Sequence, residues 1–343
     1  MRTPLISTLA LAAAAFTLPA LAQTKPAWCA ADKPVKFAGI TWESGQFYTE
    51  LARFFVENGF GCKTEIVPGS TAVTETALVS NDLQVWMEQW GGRTDIIRKG
   101  KEAGKVDLVG SLLKDGTVEG WYVPEYVVKG DAKRNIKAVA PDLKSVADLP
   151  KYKDLFKDDE DPSKGRFLNC PTGWDCEKNN NQKMKAYKLN ATYTNFKPGT
   201  GGALDATIAS AVERGRPILF YYWSPAGLMG KYKFVQLQEP AFNEACWKTI
   251  FGSTTDEACG SATPSTNLSV GVSTPFKKDA PEVIKFLSAL QMSGDQLNPI
   301  IAEMGEKKTP AADMAKKFVA NNKAIWSTWV PASMVAQIEA KAK

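Results

Sequence analysis

From Val35 to Trp90 the chain alternates short apolar runs with amphipathic stretches, and few folds satisfy that order. "VKFAGITW" (Val35–Trp42) reads as a buried strand. In "SGQFYTELARFFVENG" the apolar residues Phe47, Leu51, Phe54 and Phe55 form one helical stripe, which stops at Asn58-Gly59. "CKTEIVPG" supplies a second strand, and "STAVTETALVSND" a second helix opened by Ser70 or Thr71. "LQVWMEQW" (Leu83–Trp90) is a third strand, closed by Gly91-Gly92. Consecutive β-α-β-α-β units call for an α/β fold, a mostly parallel sheet with helices covering its faces. Further on, "GWYVPEYVV" is strand-like but interrupted by Pro124, which suits a crossing or edge strand. "SVADLPKYKDLF" reads as a short helical turn, "RPILFYYWSP" and "NLSVGVSTPF" as apolar strands, and the chain is mostly helical from Ala280. A length of 343 residues favours two domains.

The cysteines and the first residues place the chain. "MRTPLISTLALAAAAFTLPALAQ" carries Arg2, an apolar run, and small residues at Ala20 and Ala22. This is the layout of a secretory signal over residues 1–22, with an exported mature chain from Gln23. Cys29, Cys62, Cys170, Cys176, Cys246 and Cys259 make an even count with no C-x-x-C pair, and histidine is absent. Disulfides rather than Cys/His zinc sites follow, and no metal or cofactor is expected. Pairing sequence neighbours gives Cys29–Cys62, Cys170–Cys176 and Cys246–Cys259, one of fifteen connectivities. On a loop-entropy model the small ring contributes roughly 2 kcal/mol and the Cys29–Cys62 loop nearer roughly 4. The small ring therefore serves local shaping, and it encloses Trp174.

Formal charge is +5, with 42 basic and 37 acidic residues interspersed. There is no basic stripe with interleaved aromatics, so nucleic acid is not an expected partner. Without histidine the Ser-His-Asp and Cys-His arrangements are impossible. No nucleophile elbow, Walker loop or dinucleotide fingerprint is present. "GTGGALDATIASAV" (Gly199–Val212) is glycine-rich before a helix, but it lacks the lysine and spacing of a phosphate cradle.

The ten tryptophans carry more information. Trp42, Trp90 and Trp223 each stand at the carboxyl end of an expected strand, where open parallel sheets bind ligands. Trp174 stands in the cysteine ring. Indole faces around one cavity attract a cation that cannot donate hydrogen bonds, each contact contributing about 0.5–2 kcal/mol. A clamped ring needs no further ordering on binding. By the period of two, Trp86, Glu88 and Trp90 share one face of the third strand.

"CPTGWDCE" followed by "QKMKAY", and later "PILFYYWSP", resemble the quaternary-amine substrate-binding proteins of ABC importers, glycine betaine binders among them. The resemblance implies a type II periplasmic-binding fold of two lobes, each a mostly parallel sheet flanked by helices. It places residues 23–122 plus 270–343 in lobe I and 123–269 in lobe II, with crossing strands near Tyr122–Val123 and Ser269–Val270 as the hinge. It implies a box of Trp90, Trp174 and Trp223 around a trimethylammonium head, and the backbone amides of Asp175 and Cys176 on a ligand carboxylate. Where the family has a histidine after the first box tryptophan this chain has "WGGRT", so Arg93 or Thr94 takes that place. Trp42, Glu43 and Glu88 are further candidates for the cleft. The implied protein is a monomeric, non-enzymatic binder that delivers glycine betaine, proline betaine, choline or a carnitine-like compound to a membrane permease. Two other readings remain: a binder of an amino acid or polyamine through Glu43, Glu88 and Asp175, and a secreted hydrolase using carboxylates.

Overall fold

The computed structural model describes residues 25–343; the expected leader, residues 1–22, lies outside them. Among the described residues ten strands form two five-stranded sheets. The first contains β1 (Val35–Gly39), β2 (Thr64–Pro68), β3 (Val85–Trp90), β4 (Val106–Val109) and β10 (Leu268–Ser273), in the order β2-β1-β3-β10-β4. The second contains β5 (Val118–Pro124), β6 (Gly165–Leu168), β7 (Tyr193–Phe196), β8 (Leu219–Ser224) and β9 (Phe234–Gln236), in the order β7-β6-β8-β5-β9. In each sheet four strands run in one direction, and the fourth position in the order is held by the one antiparallel strand, which arrives from the other lobe: β10 in the first, β5 in the second. The helices Glu43–Asn58 and Thr71–Val79 follow β1 and β2 as the periodicity requires. Each sheet has its own apolar core, one around Phe37, Phe47 and Phe55, the other around Trp121, Phe167 and Phe220.

The division between lobes differs from the expected one. β5 pairs from Val118 onward with β8 and β9, so 118–122 belong with the second sheet. β10 pairs from Leu268 with β3, so 268–269 belong with the first. The chain crosses before these strands, where both crossings lie side by side. Thr117 N–H donates to the Thr266 carbonyl at 3.1 Å, Thr266 N–H to Thr117 Oγ1 at 3.2 Å, and Leu112 N–H to the Leu268 carbonyl at 2.7 Å. Pro124 ends β5 and opens the helix Glu125–Lys129, since its ring leaves no N–H to continue a ladder. The strands β4, β6, β7 and β9 have at most four residues each, too few for a period of two to declare itself.

The three disulfides pair Cys29 with Cys62, Cys170 with Cys176 and Cys246 with Cys259. No helix of the described residues is long and apolar enough to cross a membrane.

The second lobe buries one ion pair completely. Lys183 Nζ lies 2.5 Å from Glu239 Oε1, with both side chains about 2% exposed, and Thr263 Oγ1 and Tyr187 OH complete the hydrogen bonding. Removing one partner strands the other charge. We expect Lys183→Met to cost about 3–5 kcal/mol, read by urea unfolding, with part of the loss recovered in the Lys183→Met/Glu239→Leu double variant. A single substitution costing under about 1 kcal/mol would contradict the role of the pair.

Candidate functional site

Both sheets direct the carboxyl ends of their parallel strands toward the space between the lobes, and a pocket opens there. It encloses about 550 Å3 of atom-free space, partly open to solvent, which suits a small-molecule site. Lobe I lines it with Trp42, Trp86, Gln89, Trp90, Arg93 and Thr94, together with Thr71 and Glu75. Lobe II contributes Glu119, Trp174, Asp175, Cys176, Tyr221 and Trp223.

The indoles are held from behind. Trp42 donates Nε1–H to Glu88 Oε1 at 2.8 Å, and Trp86 donates to Thr74 Oγ1 at 2.8 Å. Trp174 reaches across the cleft and donates to Thr41 Oγ1 at 3.0 Å. Its ring meets Trp42 and Trp223 edge-on, with centroids 5.5 and 5.6 Å away. The Cys170–Cys176 ring brings Trp174 to the start of the helix Asp175–Ala186. Asn169 ties ring to helix: its Oδ1 accepts from Cys170 N–H and Asn180 Nδ2–H, each at 2.7 Å. The glycine-rich loop turns out to serve the same wall. A Cβ at Gly201 would sit 3.0 Å from Trp174 Cη2, so glycine lets the helix Gly201–Glu213 approach the indole.

The acids divide differently from the expectation. β3 carries a bulge: from Ser269 to Gly271 β10 advances two residues while β3 advances three, from Gln89 back to Trp86. Glu88 sits in this irregularity with φ of 56°, a left-handed conformation unfavourable outside glycine. The alternation is therefore broken. Gln89 and Trp90 line the pocket, while Glu88 is fully buried behind Trp42, also accepting from Ser44 Oγ–H at 2.9 Å. Burial raises the Glu88 pKa to about 8 against the hydrogen bonds from Trp42 and Ser44, so it is largely neutral at pH 7. Glu43 does not line the tryptophan pocket either. It faces Asp205 in a neighbouring cavity on the far side of Trp42 and Trp174. Burial and Asp205 raise Glu43 to about 7, and burial raises Asp205 to about 6 against a hydrogen bond from Tyr222.

Among the described residues, Arg93 is the one cation lining the pocket. Gly91 and Gly92, both at positive φ, turn the chain sharply after β3 and bring Arg93 back to the pocket. Its Nη2 lies 2.9 Å from Glu119 Oε1, while Nε and Nη1 are buried without a partner in the protein. Burial pulls the guanidinium pKa down, and Glu119 and Tyr221 more than restore it, so the charge persists. Two free donors on a buried guanidinium are matched to a carboxylate or another anionic oxygen. The first-turn N–H groups of Asp175 and Cys176 have no intrahelical acceptors and add donors on the opposite side. The Asp175 carboxyl is raised by burial, with Arg93 opposing. Thr94 lines the pocket, but its hydroxyl is committed: it donates to Glu75 Oε2 at 2.8 Å and accepts from Ile97 N–H at 3.2 Å. Burial raises Glu75 to about 7 despite hydrogen bonds from Gln89 and Thr94.

Sequence reasoning missed Glu75, Gln89, Glu119, Tyr221 and the pocket roles of Thr71 and Trp86. Tyr221 was legible, since it lies two residues before Trp223 on β8 and shares its face. Glu119 had no local signal, because only the antiparallel register of β5 with β8 sets it opposite Trp223.

Residues 33–321 match the family described as the substrate-binding domain of ABC-type glycine betaine transport systems. The chain belongs to this family. It is thus a substrate-binding component of an ABC transport system rather than an enzyme. It is 25% identical over 250 residues to the trimethylamine N-oxide-binding protein of Pelagibacter ubique, covering 73% of this chain and 74% of that protein. It is also 25% identical over 158 residues to the glycine betaine/proline betaine-binding periplasmic protein of Escherichia coli, covering 46% of this chain and 45% of that one. The fold matches the glycine betaine/L-proline-binding protein of Borrelia burgdorferi with a TM-score of 0.70 at 20% identity, over 89% of this chain and all of that one. It also matches a choline-binding protein solved with choline, with a TM-score of 0.69 at 19% identity, over 93% of this chain and all of that one. These neighbours establish the two-lobed type II fold for a glycine betaine-type binding domain.

Glu88 gives this site a testable pH signature. Its folded pKa of about 8 lies above the ordinary 4.5, so the native state holds one more proton between those values. That contribution to stability is present below about pH 4.5 and is lost as pH rises through 8. Glu88→Gln keeps the acceptor for Trp42 and Ser44 without the charge. In urea unfolding the variant should exceed the unsubstituted protein in stability at pH 9, with the difference disappearing near pH 4. A pH-independent difference would contradict the buried, neutral state of Glu88.

Proposed function

We propose that this protein captures a zwitterionic methylated ammonium compound of the glycine betaine or amine N-oxide kind in the periplasm, and that as a monomer it delivers the compound to the membrane permease. The methylated nitrogen lies among Trp90, Trp174 and Trp223, with Trp42 and Trp86 closing the back. The ligand's anionic oxygen takes Arg93 Nε and Nη1 and the amides of Asp175 and Cys176. The observation that carries this reading is the pairing, in one pocket, of indole faces with a buried guanidinium that has two free donors. The names of the relatives agree in chemistry: trimethylamine N-oxide, glycine betaine and proline betaine all join a quaternary nitrogen to an anionic oxygen.

The pocket favours a zwitterion over a polyamine. A polyamine needs several ionised carboxylates at fixed spacing, whereas Glu88 and Glu43 lie outside the pocket, Glu75 is held near pKa 7, and Glu119 is committed to Arg93 and Tyr221. Asp175 does line the pocket, but its pKa is raised by burial and it stands alone. Choline and carnitine-like compounds share the ammonium head. Choline, lacking the carboxylate, leaves the guanidinium unanswered.

Closure follows from the same contacts. Trp90 and Arg93 lie on one lobe and Trp174 and Trp223 on the other, so a ligand touching all four favours the closed form by its differential affinity.

Calorimetric titration should give saturable binding of glycine betaine or trimethylamine N-oxide and none of spermidine. Trp174→Ala should weaken that binding about tenfold or more, as one good cation–π contact is lost. Arg93→Gln should weaken the zwitterions far more than choline. Unchanged affinity in Trp174→Ala, or tight spermidine binding, would sink the assignment.

A further inference from the structure

The disulfide-closed segment Cys246–Cys259 lies outside the site described so far, yet it reaches Arg93 through one ring. The helix Glu244–Ile250 ends at Phe251, and the Arg93 guanidinium carbon lies over the Phe251 ring, 5.5 Å from its centroid. Phe251 in turn stacks on Trp247, with centroids 5.7 Å apart and planes 19° from parallel.

The segment carrying this ring is anchored on the helix that presents Trp174. Buried Gln182 donates Nε2–H to the carbonyls of Thr249 at 3.1 Å and Thr255 at 2.8 Å. Just before the loop, Asn243 Oδ1 caps the short helix by accepting from Cys246 N–H at 3.0 Å. Thr249 Oγ1 accepts from Cys259 N–H at 3.1 Å, beside the Cys246–Cys259 bond. The ring is thus carried by a rigid element rather than a loose loop.

Arg93 needs such a support. Its contact with Glu119 engages Nη2 alone, and one hydrogen bond leaves the guanidinium plane free to turn about that contact. A ring face under the guanidinium carbon limits that freedom and helps set where the Nε–Nη1 edge points. Arg93 follows β3 of the first lobe, whereas Glu119 and Phe251 belong to the second, so both supports act when the lobes are closed.

We infer that Phe251 is a positioning residue for the carboxylate-binding edge of Arg93, and that the Cys246–Cys259 segment is part of the ligand site through it. This rests on the zwitterion reading above. Its role is specific to ligands with an anionic oxygen, because a bare quaternary ammonium does not use Arg93.

The test is calorimetric titration of glycine betaine and choline into the unsubstituted protein, Phe251→Leu and Phe251→Trp. Phe251→Leu should weaken glycine betaine about three- to thirtyfold, the range of one cation–π contact, and leave choline within about twofold. Phe251→Trp should restore glycine betaine binding. Equal losses for both ligands, no loss for glycine betaine, or no rescue by tryptophan would overturn the inference. Where the unsubstituted protein does not bind choline, loss in Phe251→Leu with rescue in Phe251→Trp supports it, and absence of either overturns it. If the unsubstituted protein binds neither ligand, the zwitterion reading itself falls, and the inference with it.

Discussion

An indole held by its single N–H keeps both faces available, and the pocket depends on that economy. Glu88 takes the N–H of Trp42, Thr74 that of Trp86 and Thr41 that of Trp174. The polar atoms of these three rings are satisfied within the protein, so they turn π surface to the pocket, whereas Trp223 Nε1 is buried without a partner in the protein. A methylated ammonium, which has no hydrogen to donate, loses less on leaving water for such a surface than a primary amine would. The Cys170–Cys176 ring, the close approach at Gly201 and the Asn169 network all serve to fix where one of these rings stands. Trp174 needs the clamp because it is the ring that reaches across the cleft.

Arg93 gives the cage its second half. A guanidinium in a pocket of indoles would repel a simple cation, and its presence is therefore a statement about the ligand. Its partial neutralisation by Glu119 lowers the cost of burying the charge, while two unpartnered donors retain the ability to bind an anionic oxygen. On the proposed reading the site separates the positive and negative ends of a small molecule along its length, with rings at one end and donors at the other. Because Glu119 and Phe251 come from the lobe opposite that of Arg93, the proposed reading has the negative end of the ligand recognised by both lobes together.

Much of this was legible in the sequence, and the parts that were not share a physical reason. The β-α-β-α-β opening announced a parallel sheet, and tryptophans at strand ends pointed to one shared pocket. Trp42, Trp90, Trp174 and Trp223 do line one pocket, as do Arg93, Thr94, Asp175 and Cys176. Glu43 and Glu88 do not, and no periodicity reveals that, because a bulge in β3 shifts the alternation at Glu88 and a helix start turns Glu43 to the far side of Trp42. The lobe boundaries slipped by a few residues because β5 and β10 pair over their whole lengths with one sheet only. Glu119 and Phe251 depend on contacts between segments far apart in the chain, which local pattern does not encode.

The most direct test of the account is a crystal structure of the mature protein grown with glycine betaine. The account predicts the methylated nitrogen within about 6 Å of the ring centroids of Trp90, Trp174 and Trp223, and the carboxylate on Nε and Nη1 of Arg93. Ligand seated instead in the cavity of Glu43 and Asp205, or with its carboxylate turned away from Arg93, would contradict it.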